Sequence, residues 1–410
     1  MNTSSLKPQP SGKTSVYKDG NLRIILCVTL MAILPIFSIN PTLAIIAEAF
    51  AVSSQQITLI VTAFLVPVAI GTPIFGFLAD RFGRKQILVP SLLLFAIAGA
   101  LCATAQDFWS LVEWRCLQGF GAASLEAVVI STICDLYTGK RVTTAMALNA
   151  STIGVAATIY PAVGGILADL NWRLPFLMAL LAIPVAILVL VKLRLPPSAI
   201  KNNDLQLKTY VRHLGRSIYD PQVIGLLLVV IGLFAIEFGA FYTFTPVLAG
   251  TVMGASASVI GMIFSSTSIS LAFIAFLVGL FARRLSEIKL IKVALIIFAV
   301  SLLLIFQAPN VVLLLIPSVL IGAVSGMAFP SIQALLAKFA PEGYRAGFMS
   351  MNVSVQACGR ALGPIIAAIA LQWGGMPAIY YGGAAMTLVI LVVFHFLLIP
   401  RQQDRKKSIG

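Results

Sequence analysis

Gly76-Phe77-Leu78-Ala79-Asp80-Arg81-Phe82-Gly83-Arg84-Lys85 packs one acid, two arginines, a lysine and two glycines into ten positions, between two mostly apolar runs of more than fifteen residues each. Elsewhere in the chain charge is scarce, and a short charged turn joining two membrane-length helices acts as a hinge clamp, a topology anchor, or both. Working outward, hydrophobic residues make up 59% of the 410 positions and charged residues 10%, with a mean hydropathy of +1.00. Soluble domains do not have this composition. A hydrocarbon core needs about 20 apolar residues per helix, so the chain has room for twelve spans with short connections.

The blocks fall in order. Residues 1–21 form a polar, lysine-bearing tail with no apolar core or cleavage site of a removable leader. Spans are expected near 22–47, 57–79, 86–105, 109–134, 143–168 and 173–192, and these form a first bundle over 22–192. A polar segment at 193–220 carries Lys201, Lys208, Arg212 and Arg216. A second bundle over 221–399 holds spans near 222–247, 258–282, 288–307, 311–335, 345–371 and 376–399, and 400–410 is a short tail. Of the 28 lysines and arginines, 25 lie in the two tails, in loops after even-numbered spans, or at the span ends that adjoin them. Positive charge resists translocation, so both termini are expected in the cytoplasm. The net charge of +14 is spread over separate loops and is a topology signal, not a nucleic-acid surface.

Shifting the sequence by 203 positions pairs Gly76 with Gly279, Arg81 with Arg284, Gly119 with Gly322, Met146 with Met349, Asn149 with Asn352, Ser151 with Ser354 and Pro161 with Pro364. One offset serving several loops and helices implies two six-helix bundles related by a pseudo-two-fold axis along the membrane normal, with a site between them. The expected fold is therefore an all-α polytopic membrane protein, and the expected mechanism is that of an alternating-access carrier.

These residues resemble a known family. Gly76, Asp80, Arg81, Gly83, Arg84 and Lys85 fill the loop signature G-x-x-x-D-R-x-G-R-K of the major facilitator superfamily. Leu111, Arg115, Gln118, Gly119, Gly121, Ala122 and Ala123 are similar to the fourth-span signature of its proton-coupled drug exporters. Pro161, Gly164 and Gly165 match the fifth-span signature of the antiporters, where Ala156 and Tyr160 replace two of its glycines. Trp172, Arg173 and Phe176 fit the start of the sixth span. The resemblance covers the whole chain and implies twelve spans, export of small amphipathic compounds in exchange for protons, and a loop that gates the cytoplasmic side.

Ionisable residues inside a membrane cost roughly 2.5–3.5 kcal/mol each on insertion scales, so each is a functional candidate. Glu126 falls in the middle third of the fourth span and Glu237 near the middle of the seventh. Low dielectric favours the neutral form of a carboxyl, which suits proton carriage; permanent neutral hydrogen bonding in helix packing is the structural reading. Arg115 precedes Glu126 by eleven residues, about 20° apart on one face and about 16 Å along the axis. The resemblance implies that Arg115 faces the cavity and tunes proton binding, whereas a bridge between helices is its structural reading. Arg360 either pairs with a carboxylate from another helix or faces substrate. Asn40, Gln118, Tyr242, Asn352 and Gln356 are further cavity candidates, each equally suited to helix-packing hydrogen bonds. Pro161 with Gly164 and Gly165 reads as a bend closing the fifth span on a neighbour, and Asp135 as a surface partner for the opening loop.

The five cysteines are dispersed with no C-x-x-C, and two histidines are too few for a metal site, so no metal is expected. No phosphate-binding G-x-x-x-x-G-K-[ST] loop is present, which leaves a proton gradient as the energy source and no cofactor. The expected partners are a small-molecule substrate, protons and the lipid bilayer of the cell inner membrane, with the protein a monomer. Two alternatives stay open: export of one specific metabolite such as a sugar, nucleoside or siderophore, and a membrane enzyme or sensor that transports nothing.

Overall fold

A computed structural model describes residues 19–137, 140–195, 221–281, 286–339 and 345–398. The expected tails and most of the central segment lie outside these residues. Every regular element described is helical: α1 Gly20–Phe37, α2 Leu43–Ala49, α3 Thr58–Phe82, α4 Arg84–Thr104, α5 Phe108–Leu136, α6 Lys140–Leu170, α7 Leu174–Leu177, α8 Ala182–Lys192, α9 Pro221–Ile236, α10 Thr245–Val247, α11 Ala257–Phe281, α12 Glu287–Gln307, α13 Leu315–Phe339 and α14 Arg345–Leu398. Eleven stretches among the described residues are long and apolar enough to cross a membrane.

The last two expected spans, 345–371 and 376–399, lie on either side of a kink within α14, where two helices meet and Gly374 and Gly375 leave the helical conformation. Gly375 has φ +68°, where an L side chain is strained, so this glycine supplies the turn that a conventional loop would otherwise make. Trp373 stands beside it, 87% exposed, as expected of an aromatic ring at a membrane–water boundary. The first span is not one continuous helix. It is interrupted after Phe37 by a 3₁₀ turn at Asn40–Thr42 with Pro41 at its start, because proline removes a donor and fits the first turn of a helix. By contrast α3 runs through Pro67 and Pro73, and α6 through Pro161, without a break.

Helices in lipid gain little from hydrophobic association and rely on close packing through small residues. A Cβ on Gly119 of α5 would lie 2.4 Å from the carbonyl oxygen of Phe64 in α3, and one on Gly322 of α13 would lie 2.1 Å from that of Thr267 in α11. The two contacts are separated by 203 positions on both sides, 64 to 267 and 119 to 322. Two more interactions recur at that interval. Asp107 accepts a hydrogen bond from the Ser110 backbone at 3.0 Å and Asn310 accepts one from Leu313 at 3.1 Å, each at the start of a helical segment. The Ser110 hydroxyl and backbone together hold the exposed Asp107 carboxyl below its ordinary range. Arg84 pairs with Asp135 at 2.7 Å, and at the equivalent positions Glu287 pairs with Lys338.

Across the chain's midpoint, α6 packs along α11 and α3 along α14. The α6–α11 seam is a backbone contact. A Cβ on Gly165 would meet the Ala257 carbonyl oxygen at 2.2 Å, and one on Gly261 would meet that of Pro161 at 2.1 Å.

Candidate functional site

The charged residues placed in the spans do not form one cluster. Glu126 of α5 and Arg360 of α14, 234 positions apart, make a two-pronged ion pair: Nη1 donates to Oε1 at 3.0 Å and Nη2 to Oε2 at 2.9 Å. Parallel N–H bonds of this kind fix geometry as well as adding energy. The helix that carries Arg360 packs closely on its neighbour: a Cβ on Gly359 would lie 2.8 Å from the Ile231 carbonyl oxygen and one on Gly363 would lie 2.3 Å from that of Ala235, so α14 lies directly on the backbone of α9.

Glu237 is arranged differently. It is buried and accepts a 3.2 Å hydrogen bond from the Ser325 hydroxyl of α13, and no cation pairs with it among the described residues. It opens a π-helical stretch, Glu237–Phe244, where Thr243 and Thr245 donate to carbonyls five residues back, those of Phe238 and Ala240. Wide turns of this kind often occur at functional sites. Tyr242 of the same stretch sits among the rings of Phe238, Phe241 and Phe264, and meets Phe37 of α1 edge-on at 5.8 Å between centroids. This apolar box therefore joins residues from both sides of the midpoint.

Arg115 occupies neither environment. Its side chain is 2% exposed; Nε donates to the Ile60 carbonyl at 3.2 Å and Nη1 to the Gln118 side chain at 2.7 Å. The guanidinium carbon stands 4.4 Å from the Phe64 ring centroid and 6.0 Å from that of Phe176. The cavity-facing orientation implied by the resemblance therefore gives way to a bridge linking α5 to α3 and the α7 segment. A guanidinium at this depth needs acceptors and aromatic faces, and here the protein supplies both. Gln118 is enclosed with it.

The sequence profile of the Major Facilitator Superfamily matches residues 25–285 and again residues 236–410. The chain belongs to this superfamily. Among curated relatives it is 28% identical to Multidrug resistance protein 1 of Bacillus subtilis over 85% of this chain and 89% of that one. It is 26% identical to the Bacillibactin exporter of the same organism over 90% of this chain and 94% of that one. Among solved structures, a bacterial homolog of the human lysosomal transporter Spinster, in an inward-facing and occupied conformation, superposes with a TM-score of 0.73 at 17% identity, covering 94% of this chain and 96% of that one. The last likeness shows the fold.

This major facilitator chain is thus a multi-pass membrane transporter, and its loop signature can be placed. Gly76 and Arg81 lie near the end of α3, and Gly83 joins α3 to α4 with φ +104°, a conformation that favours glycine. Arg84 reaches Asp135 of α5, as its loop position suggested, and Lys85 donates to the Leu193 carbonyl at 3.5 Å. The side chain of Asp80 lies outside the described residues, as do residues 282–285 of the companion loop. Asn40 and Asn352 are buried, and the Asn40 amide nitrogen and Asn352 amide oxygen have no hydrogen-bond partner among the described residues. Gln356 is half-buried on α14. Gly164 packs on Ser38, a Cβ there lying 2.2 Å from its carbonyl oxygen.

One residue at this seam was missed in the sequence. Asp169, at the end of α6, accepts the backbone N–H of Ala257 at 2.9 Å and that of Ser258 at 3.2 Å, capping the first turn of α11. The only signal for it is an acid closing one predicted span, 86 positions before the Ala-Ser-Ala-Ser run, starting at Ala255, that opens another.

Proposed function

We propose that the protein is a secondary active exporter of small amphipathic compounds, driven by exchange for protons, in which two six-helix halves alternate access to a site between them. Twelve spans follow if α14 crosses the membrane twice about Gly374 and Gly375. The observation that carries the coupling is the contrast between the two acids: a guanidinium grips the partly buried Glu126 at both oxygens, while the buried Glu237 has only a hydroxyl. A carboxyl that takes up and gives up a proton during each cycle must not be held as an anion by a permanent cation. Glu237 is the proton carrier in this scheme, and the Glu126–Arg360 pair is a tie between the halves that each turnover breaks and remakes.

The seam formed by Gly165, Gly261 and the Asp169 cap lies at the end of α6 remote from the loop signature. With both termini in the cytoplasm of a cell whose inner membrane houses the protein, this seam seals the outer side and the arrangement faces inward. Export of a single metabolite remains the second reading. It is supported by the similarity to a bacillibactin exporter and by Ala156 and Tyr160 at two signature glycines.

The decisive experiment is uptake of several unrelated dyes into inverted proteoliposomes under an imposed pH gradient. Gradient-driven uptake by the wild-type chain, lost in Glu237→Gln while gradient-independent exchange of the same dyes persists, is the expected result. Full gradient-driven uptake by that variant would remove the coupling assignment.

A further inference from the structure

A guanidinium presents two edges to hydrogen-bond acceptors. Nη1 and Nη2 form the end edge, and Nε with the second hydrogen of Nη2 forms the side edge. Glu126 fills the end edge of Arg360, with one oxygen on each terminal nitrogen. Nε is buried and has no acceptor among the described residues. A donor left unmade away from water is costly, and Gly359 and Gly363 on either side of Arg360 set the helix that carries it against the backbone of α9. The geometry therefore leaves a second, parallel pair of N–H groups beside a guanidinium whose charge is already balanced.

Resting on the export reading above, we propose that Arg360 anchors the cargo through this side edge, and that the preferred cargo carries a carboxylate or an equivalent pair of adjacent oxygen acceptors. Planar pairs of oxygens match the spacing of a guanidinium edge in a way that a cationic or single-acceptor group does not. Nε is enclosed while α5 and α14 are tied, so the carboxylate reaches it as these helices separate. An amphipathic acid then occupies the side edge while Glu126 keeps or leaves the end edge. A drug cavity of this kind selects amphipathic acids and zwitterions over simple cations.

The test uses the full chain in nanodiscs and proteoliposomes, with rhodamine B as a carboxylate probe and its methyl ester as the matched probe lacking that group. Fluorescence polarisation is expected to show the acid binding at least tenfold more tightly than the ester. Arg360→Lys retains a cation opposite Glu126 but has no side edge; in it the acid's advantage should fall to within twofold, with ester binding moved by less than twofold. Glu126→Gln should keep the acid's advantage or enlarge it, whereas a merely structural ion pair would weaken both probes alike in both variants. Equal binding of the two probes by the wild type, no binding of the acid, or an acid preference that survives Arg360→Lys overturns the assignment. Gradient-driven transport of the ester without any acid preference would overturn this inference and leave the exporter reading standing. Arg360-dependent acid binding with no transport of any dye would do the reverse.

Discussion

The two stretches of chain on either side of the midpoint share a scaffold and divide the chemistry. At an interval of 203 residues the same glycine meets the same carbonyl, the same cap starts a helical segment, and an ion pair joins the same two helix ends. That ion pair has its charges reversed: Arg84 and Asp135 in the first half become Glu287 and Lys338 in the second. Position is retained while polarity is free, so what the scaffold uses there is a pair and not a particular sign. Inside the membrane the halves differ completely. The equivalents of Arg115 and Glu126 are Ser318 and Phe329, and those of Glu237 and Arg360 are Leu34 and Ala157. The charges within the spans thus occupy positions whose counterparts are uncharged, as expected where each such charge is expensive in lipid.

The largest test of this division is the tie between the halves. Arg360→Ala leaves the partly buried Glu126 without its two charge-assisted hydrogen bonds, a loss of up to about 3 kcal/mol; the melting midpoint of purified protein should fall. Exchanging the residues, Glu126→Arg with Arg360→Glu, should recover a large part of it. If the single variant melts like the wild type, the tie between the halves is not structural.

Next come the paired glycines. Gly119→Ala and Gly322→Ala each push a methyl group into a carbonyl oxygen, and each should cost about 1–3 kcal/mol. Similar losses from the two variants sharpen the comparison, and tolerance of only one breaks it. The reversed ion pairs give a smaller effect. Asp135→Ala should cost no more than about 1 kcal/mol, since its carboxylate is partly exposed, and the swap Arg84→Asp with Asp135→Arg should restore that loss.

The smallest expected change comes from an interaction present in one half and missing in the other. Thr29 donates to the Asn149 side chain at 2.6 Å, but at the equivalent of Thr29 stands Gly232, and the Asn352 amide oxygen has no partner among the described residues. Gly232→Thr combined with Ile390→Val, which makes room where a new Cβ would meet Ile390 at 2.3 Å, should stabilise the protein by about 0.5–1.5 kcal/mol. No gain would mean that the two asparagines are not placed alike.

Much of the scaffold was readable because its signals are periodic or compositional: runs of about 20 apolar residues, lysine and arginine in alternate loops, and a repeat interval that any self-comparison reveals. The division of α14 is legible as two apolar runs on either side of Gly374 and Gly375, but the form of the connection is not, since a loop and a two-residue kink look alike in the sequence. The site was harder. Glu126 and Arg360 could each be singled out by cost, yet nothing in a linear sequence places residues 234 apart at one depth. Arg115 can be singled out for the same reason, but its own helix cannot decide between a cavity and a bridge, because the rings of Phe64 and Phe176 come from other elements. The wide turn after Glu237 has no clear sequence mark. Threonine hydroxyls reaching back five residues identify it only once the backbone is seen.

That wide turn has a consequence for how a signal travels along the seventh span. A π-helical stretch accommodates more residues per turn than the regular helix on either side of it, and the excess lies beside the acid that faces Ser325. Were the excess to pass toward α10, Glu237 would rotate about its axis by roughly 100° and let go of that hydroxyl, while Tyr242 would withdraw from Phe37. Protonation at one point and loosening of the aromatic junction between the halves would then be a single screw motion of one segment.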